Sequence, residues 1–331
     1  MLSTGERPLV SAPTPREYDM QLTEDSTTAS ARPVAVIGCG VIGRSWLRVF
    51  TRAGHQVRAW DPSPHAVQNA LAWHATECAR DGRGGGAVVA SGSFEEALRD
   101  VCWCQESGPE SVEGKRALYA ALDAAAPPDA VLASSTSTID MTLIADGLAG
   151  GHRCIVAHPV NPPHVIPVVE VLGGAATSAE TVARAMEMLR AVGQFPVLLR
   201  RYVPGFLLNR MQAAIVREAI SLVERGVADV EAVDAVIHHG LGLRWALMGP
   251  FGVANTNADG GVREYFARYG PSFTMLMDDL GGTPRMDAPL IERLGEGVDA
   301  MVGDVPRGRI RAWRDRLVER LTTLKRDEGA P

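Results

Sequence analysis

His158 and Glu170 are polar side chains set into apolar sequence, and together they could do acid–base chemistry. His158 closes the run Cys154-Ile155-Val156-Ala157 and opens the turn Pro159-Val160-Asn161-Pro162-Pro163. Prolines fix φ and would hold an imidazole in place. Imidazole, with an unperturbed pKa of about 6.5, is the side chain suited to accept a hydroxyl proton at neutral pH. Glu170 interrupts Val168-Val169-Glu170-Val171-Leu172, where a carboxylate is costly unless paired. Paired with His158, it would orient the ring and stabilise the imidazolium, as in a catalytic triad without its nucleophile. A lone histidine is more often structural, and Glu170 could equally face solvent on an edge strand. Residue types alone leave the pairing open.

Hydroxyls cluster at Ser134-Ser135-Thr136-Ser137-Thr138, directly after the apolar run Val131-Leu132-Ala133. At the carboxyl end of a parallel strand they would face the crevice where ligands bind. They could also cap a helix starting near Ile139, a part that suits Thr138. Nearer the N-terminus, Gly38-Cys39-Gly40-Val41-Ile42-Gly43 has the G-x-G-x-x-G spacing between a strand and a helix. Alone this string is weak evidence, but an acidic residue, Asp61, ends the next strand about 20 residues on. Gly38 would make the tight turn, Gly40 admit a pyrophosphate and Gly43 allow close helix–strand contact. The helix N-terminus, at Val41 and Ile42, would offer free N–H groups to the phosphates. Asp61 would accept from ribose hydroxyls and repel a 2′-phosphate, and the following Pro62-Ser63 supplies no arginine to welcome one. NAD is therefore expected over NADP.

The elements that must position these groups alternate. Strand-like runs at 34–37, 55–60, 87–89, 101–104, 130–133 and 154–157 are mostly separated by helical stretches, the clearest at 41–53 and 64–80. This predicts an α/β fold with a Rossmann-type doubly wound parallel sheet. After Arg200-Arg201-Tyr202-Val203-Pro204 the pattern turns helical, with Pro204 in a first turn and Gly226 as a stop. Further helices are predicted over 229–238, 261–269 and 289–325. The expected organisation is a disordered tail over 1–30, an NAD-binding Rossmann domain over 31–202 and an all-helical domain over 203–331.

The bulk numbers exclude other classes. Of 331 residues, 46% are hydrophobic and 22% charged, with net charge −6, so no basic field invites nucleic acid or anionic lipid. Five scattered cysteines are too few for a disulfide framework, and Cys102-Trp103-Cys104 lacks the second ligand pair of a zinc site. Reduced core thiols and no metal are expected. No apolar run reaches the roughly 20 residues of a membrane span, and the first thirty residues lack a signal-peptide core. The expected setting is cytoplasmic.

Five strings in order carry a family resemblance: Gly38-Cys39-Gly40-Val41-Ile42-Gly43-Arg44-Ser45-Trp46, Ser134-Ser135-Thr136-Ser137, Ala157-His158-Pro159-Val160-Asn161-Pro162-Pro163, Gly205-Phe206-Leu207-Leu208-Asn209-Arg210, and Gly240-Leu241-Gly242-Leu243-Arg244-Trp245. From about Pro33 to at least Phe273 the sequence resembles the L-3-hydroxyacyl-CoA dehydrogenase superfamily, within it the L-gulonate 3-dehydrogenase/λ-crystallin branch. The resemblance implies that His158 is the base and Glu170 its partner. It implies that Ser137 and Asn209 hydrogen-bond the reacting oxygen, and that Glu110, Lys115, Ser137 and Asn161 line the NAD pocket. It also implies that the helical domain over 203–331 is the substrate and dimerisation domain, with a homodimer formed through it.

The sequence departs from the acyl-CoA members in two places. The interval from Asp61 to Glu106 is short and contains the loop Asp81–Gly86, leaving little room for a CoA grip, which favours a small free acid. Ser107-Gly108-Pro109 stands where relatives have bulkier residues, leaving the fit around nicotinamide open. Arg244 could pair with a substrate carboxylate or make a structural salt bridge. Asn255 and Asn257 are weaker candidates for polyol hydroxyls.

The expected activity is NAD-dependent oxidation of the 3-hydroxyl of a small polar, L-gulonate-like 3-hydroxy acid. The alternatives are a 3-hydroxyacyl thioester on CoA or a carrier protein, L-carnitine, whose dehydrogenases share the Gly-Leu-Arg-Trp string, and a non-catalytic λ-crystallin-like NAD-binding protein.

Overall fold

The computed structural model describes residues 32–82 and 85–329. The expected tail over 1–30 lies outside them, as do two residues of the glycine-rich loop, Arg83 and Gly84. The described residues up to Tyr202, with the C-terminal stretch from Thr322, form one compact unit; Val203–Leu321 forms a second.

The first unit is built on an eight-stranded sheet: β1 (Val34–Ile37), β2 (Val57–Trp60), β3 (Val88–Ala90), β4 (Trp103–Glu106), β5 (Val131–Ser134), β6 (Cys154–Pro159), β7 (Val168–Gly173) and β8 (Phe195–Leu198), in the order β3-β2-β1-β4-β5-β6-β7-β8. Every residue of β1, β4, β5 and β6 is buried. That is why β1 and the leading parts of β5 and β6 read as continuous apolar runs and not as alternating ones, while β4 carries its buried Gln105 and Glu106 at its carboxyl end. The same unit contains helices α1 (Val41–Arg52), α2 (Pro64–Asp81), α3 (Phe94–Leu98), α4 (Val112–Ala125), α5 (Met141–Ile144) and α6 (Ala179–Ala191). Trp46, Leu47, Val49 and Phe50 of α1 pack into the core with Val34, Val36, Val57 and Trp103. Local chemistry starts the helices: Ser63 caps α2 ahead of Pro64, Ser111 caps α4 and Ser178 caps α6.

The sheet is not wholly parallel. β7 runs antiparallel to β6 and pairs on its other side with β8, so the Glu170 strand is internal and not an edge. β8 has no counterpart among the expected strands. Its Pro196 cannot donate to a ladder and weakens the strand signal, as befits the outer strand it is.

The second unit contains only helices: α7 (Leu208–Glu224), α8 (Val230–Val236), a π-helical turn (Ile237–Leu241), α9 (Gly242–Trp245), α10 (Pro250–Thr256), α11 (Gly261–Asp279), α12 (Ala288–Val302) and most of α13 (Arg307–Glu328). Several boundaries differ from the sequence expectation. Pro204 does not open a helix, because Gly205 (φ +77°) and Phe206 (φ +51°) take left-handed backbone and delay α7 to Leu208. The single helix expected over 289–325 is two, divided after Val302 by Gly303 at φ +60° and the Pro306 that follows. The helix expected over 261–269 continues through Pro271 to Asp279. Asn255, expected in a polar loop, lies within α10, and its side-chain oxygen accepts from Val262 N at 3.0 Å. Buried hydrophobic residues described in this unit are few: Phe206, Val223, Val253, Ala254 and Leu290. Val236, Leu243, Leu247, Phe251, Met275 and Met277 are all exposed.

Candidate active site

The glycine turn is shaped by close approach. Gly38, at φ +93°, donates from its N–H to Trp60 O at 2.9 Å, and a Cβ there would come 2.7 Å from Ser107 O. A Cβ on Gly43 would lie 1.8 Å from Gly38 O, so no other residue fits that contact. A Cβ on Gly40 would meet nothing within 4 Å, leaving open space where the turn meets α1. The N-terminus of α1 has no side-chain cap, and Val41 is exposed. Its orphan N–H groups and dipole suit a pyrophosphate. Asp61 is held on the facing strand end by Cys39 N–H at 2.8 Å and Ser63 N–H at 2.9 Å. Open backbone at an uncapped helix, with a fixed carboxylate alongside, fits NAD. Burial, helped by the charge of Asp61, pushes the Cys39 thiol up to about 12, so this residue is a neutral wall of the turn at physiological pH.

The antiparallel step between β6 and β7 places His158 directly opposite Glu170. Cross-strand neighbours have Cβ atoms about 5 Å apart, close enough for an imidazole and a carboxylate to meet. Nδ1–H of His158 donates to Glu170 Oε2 at 2.8 Å, and both residues are buried. A carboxylate only accepts, so the ring nitrogen facing it carries the hydrogen and Nε2 is the basic nitrogen. The arrangement can hold an imidazole in one tautomer and stabilise its protonated form.

At the ends of β4 and β5 a second set of polar groups is brought together. Lys115 Nζ donates to Glu106 Oε1 at 2.8 Å and Oε2 at 2.9 Å, and the pair is 1% and 0% exposed. Gly108 N–H and the Ser134 hydroxyl complete the Glu106 shell, each at 2.6 Å. Glu110 organises the hydroxyl cluster. Its Oε1 accepts from Thr136 Oγ1 at 2.7 Å, Ser137 N at 2.9 Å, Ser137 Oγ at 3.2 Å and Thr138 Oγ1 at 3.1 Å. Thr138 is not the expected helix cap: Asp140 caps α5, while Thr136 Oγ1 accepts from Ile139 N at 3.0 Å.

Burial pushes the Glu110 carboxyl up, but hydrogen bonds from Thr136 and Ser137, the Lys115 charge and Thr138 outweigh it, holding the group below the ordinary glutamate value. A carboxylate depressed in the folded state adds stability that is complete above its unfolded value, about 4.3, and is lost as pH falls through the lower folded value. Amide-exchange protection at Ser137 and Thr138, corrected for intrinsic rate, is therefore expected to hold from pH 8 to about 5 and to fall below roughly 4. Protection unchanged to pH 3 would show that Glu110 does not pin this loop.

The remaining expected residues lie on other elements. Asn161 is exposed in the turn after β6. Asn209, partly buried on α7, and Arg244, exposed on α9, belong to the second unit. Asn257, which ends α10, lines a surface pocket of about 490 Å³ with Tyr265, Tyr269, Ser272, Phe273 and Leu276. Glu106, Gln105 and Ser135 went unremarked as site residues. The available signal for Glu106 was an acid at the carboxyl end of a strand-like segment, Trp103-Cys104-Gln105-Glu106. Among the described residues all five cysteines are free thiols, no group of ligands could hold a metal, and no helix is long and apolar enough to cross a membrane.

A glycine turn at an uncapped helix, an acidic strand end and a buried histidine–carboxylate pair define an NAD-dependent dehydrogenase of Rossmann type. The chain belongs to the 3-hydroxyacyl-CoA dehydrogenase family: residues 33–202 match its NAD binding domain and residues 205–290 its C-terminal domain. L-carnitine dehydrogenase of Streptomyces griseus subsp. griseus is 40% identical over 270 residues, 79% of each chain. The lambda-crystallin homolog of Bos taurus is 37% identical over 306 residues, 88% of this chain and 95% of its own. Among solved structures, an NAD⁺-dependent 5-formyl-3-hydroxy-2-methylpyridine 4-carboxylic acid 5-dehydrogenase matches with TM-score 0.76 and 27% identity, covering 91% of this chain and 99% of its own. The protein is an NAD-dependent hydroxy-acid oxidoreductase of the 3-hydroxyacyl-CoA dehydrogenase type.

Proposed function

We propose that the protein oxidises the 3-hydroxyl of a small, polar, free 3-hydroxy acid, with His158 as general base. The hydrogen bond between His158 Nδ1 and Glu170, made across paired strands, carries this reading. NAD, when bound, supplies the hydride acceptor. Nε2 of His158 takes the hydroxyl proton, and the buried carboxylate of Glu170 fixes the ring and offsets its new positive charge. Ser137 and Asn209 position the reacting oxygen, and Arg244 takes the substrate carboxylate. Gly38, Gly40, Val41, Ile42, Gly43 and Asp61 hold the cofactor, with Glu110, Ser137 and Asn161 lining the NAD pocket and Lys115, buried on Glu106, supporting its wall from behind.

An L-gulonate-like acid is the leading substrate, on the resemblance of the sequence to that branch. L-carnitine is the second, favoured by the 40% identity to an L-carnitine dehydrogenase. Both are free 3-hydroxy acids. NADH formation at 340 nm is expected with one of them and not with 3-hydroxybutyryl-CoA. Turnover of the thioester in preference to every free acid would overturn the free-acid reading. A purely structural NAD-binding role is disfavoured by the intact His158–Glu170 pair.

The second unit buries too few hydrophobic side chains for a helical domain of its size to be stable alone, and it exposes a large apolar surface. A homodimer through this unit supplies the missing burial. Sedimentation is expected to give twice the chain mass, with a melting temperature that rises with concentration. A monomer with a concentration-independent transition would exclude this.

A further inference from the structure

Gln105, Ser107 and Ser135 form a hydrogen-bonded chain whose direction follows from what each group can do. Trp103 Nε1 can only donate, so the Gln105 atom 3.1 Å away is the amide oxygen. The amide NH₂ is thereby turned toward Ser135 Oγ at 2.8 Å and Ala157 O at 3.4 Å. Trp46 Nε1, also donor-only, reaches the same Ser135 Oγ at 3.1 Å. Two donors fill both lone pairs of the Ser135 hydroxyl, so its own hydrogen goes to the remaining neighbour, Ser107 Oγ at 2.9 Å. Ser107 must accept there, and its O–H points elsewhere. Among the described residues the Ser107 hydroxyl has no other hydrogen-bond partner.

Ser107 stands just beyond β4, against the glycine turn. Its N–H donates to Ile37 O at 2.8 Å, and the space beside its carbonyl is what forbids a Cβ on Gly38. β1 and β4 are neighbours at the point where strand order reverses, the crevice in which open α/β sheets bind ligands.

We propose that Ser107 positions NAD: its hydroxyl, oriented by Trp46, Gln105 and Ser135, donates a hydrogen bond to an oxygen of the dinucleotide seated at this crevice. The acceptor is an oxygen of the pyrophosphate or of the nicotinamide carboxamide. The proposal rests on the cofactor and not on which hydroxy acid is oxidised.

Calorimetry on Ser107→Ala with NAD⁺ and with ADP-ribose, which keeps the pyrophosphate but lacks nicotinamide, tests this. The Kd for NAD⁺ is expected to rise roughly three- to tenfold, the effect of one net hydrogen bond. An equal rise for ADP-ribose places the acceptor on the pyrophosphate, and a rise for NAD⁺ alone places it on the carboxamide. Unchanged affinity for both overturns the proposal. The Trp46 indole N–H resonance reports whether the network survives, and it should stay in place in Ser107→Ala. Ser135→Ala is expected to shift that resonance and to weaken NAD⁺ at least as much as Ser107→Ala. Full NAD⁺ affinity in Ser135→Ala would remove the orienting role.

Discussion

Replacing His158 with alanine is expected to lower kcat/KM for hydroxy-acid oxidation by about 10²–10⁴-fold near neutral pH, the usual contribution of a positioned general base. NAD⁺ affinity should hardly change, because the groups proposed to hold the cofactor, the glycine turn and Asp61, are fixed by their own backbone contacts and not by the imidazole. Glu170→Gln should fall between wild type and His158→Ala. Glutamine can still accept from Nδ1–H, but it carries no charge to stabilise the imidazolium. The loss should sit mainly in kcat. A His158→Ala protein that turns over at the wild-type rate would end the general-base assignment, and an unimpaired Glu170→Gln would end the partner role.

Lys115→Met is expected to cost about 3–5 kcal/mol of folding stability, read as a lower urea midpoint at constant slope. The expectation follows from burial. Glu106 is fully inaccessible, and Lys115 donates to both of its oxygens, so removing the ammonium leaves a carboxylate with only Gly108 N–H and the Ser134 hydroxyl. Adding Glu106→Gln to Lys115→Met should recover much of the loss, since the stranded charge is then gone. A stable Lys115→Met protein that binds NAD⁺ poorly would instead make the lysine a direct cofactor ligand. The two outcomes separate clearly, because one appears without cofactor and the other only in its presence.

The parts of the site legible in the sequence were those written in local pattern. The cofactor turn could be read because its three glycines and the acid that follows are demanded by backbone approach, which depends little on distant partners. His158 and Glu170 each stood out as a polar residue in an apolar run. Residue types left their pairing open, and only the family resemblance implied it, because it depends on β7 turning antiparallel to β6, a register set by the sheet and not by either strand. The Lys115–Glu106 pair was hidden for the same reason: a lysine on an amphipathic helix gives no sign of the buried carboxylate it meets. The direction of the Gln105–Ser135–Ser107 chain needs three segments in place before donors and acceptors can be assigned. In the helical unit the periodicity was readable, but left-handed backbone at Phe206 and Gly303 moved the boundaries. Exposed apolar residues there blurred the distinction between a core face and a surface face.

The most direct test of the catalytic pair is the tautomer of His158, read from ¹⁵N-labelled protein by two- and three-bond ¹H–¹⁵N correlations above the ring's titration. With Glu170 accepting from the ring, Nδ1 should show the shift of a protonated nitrogen and Nε2 that of an unprotonated one, and Glu170→Ala should erode that preference. A ring protonated on Nε2 in the wild-type protein could not take the substrate's proton there, and would contradict the mechanism.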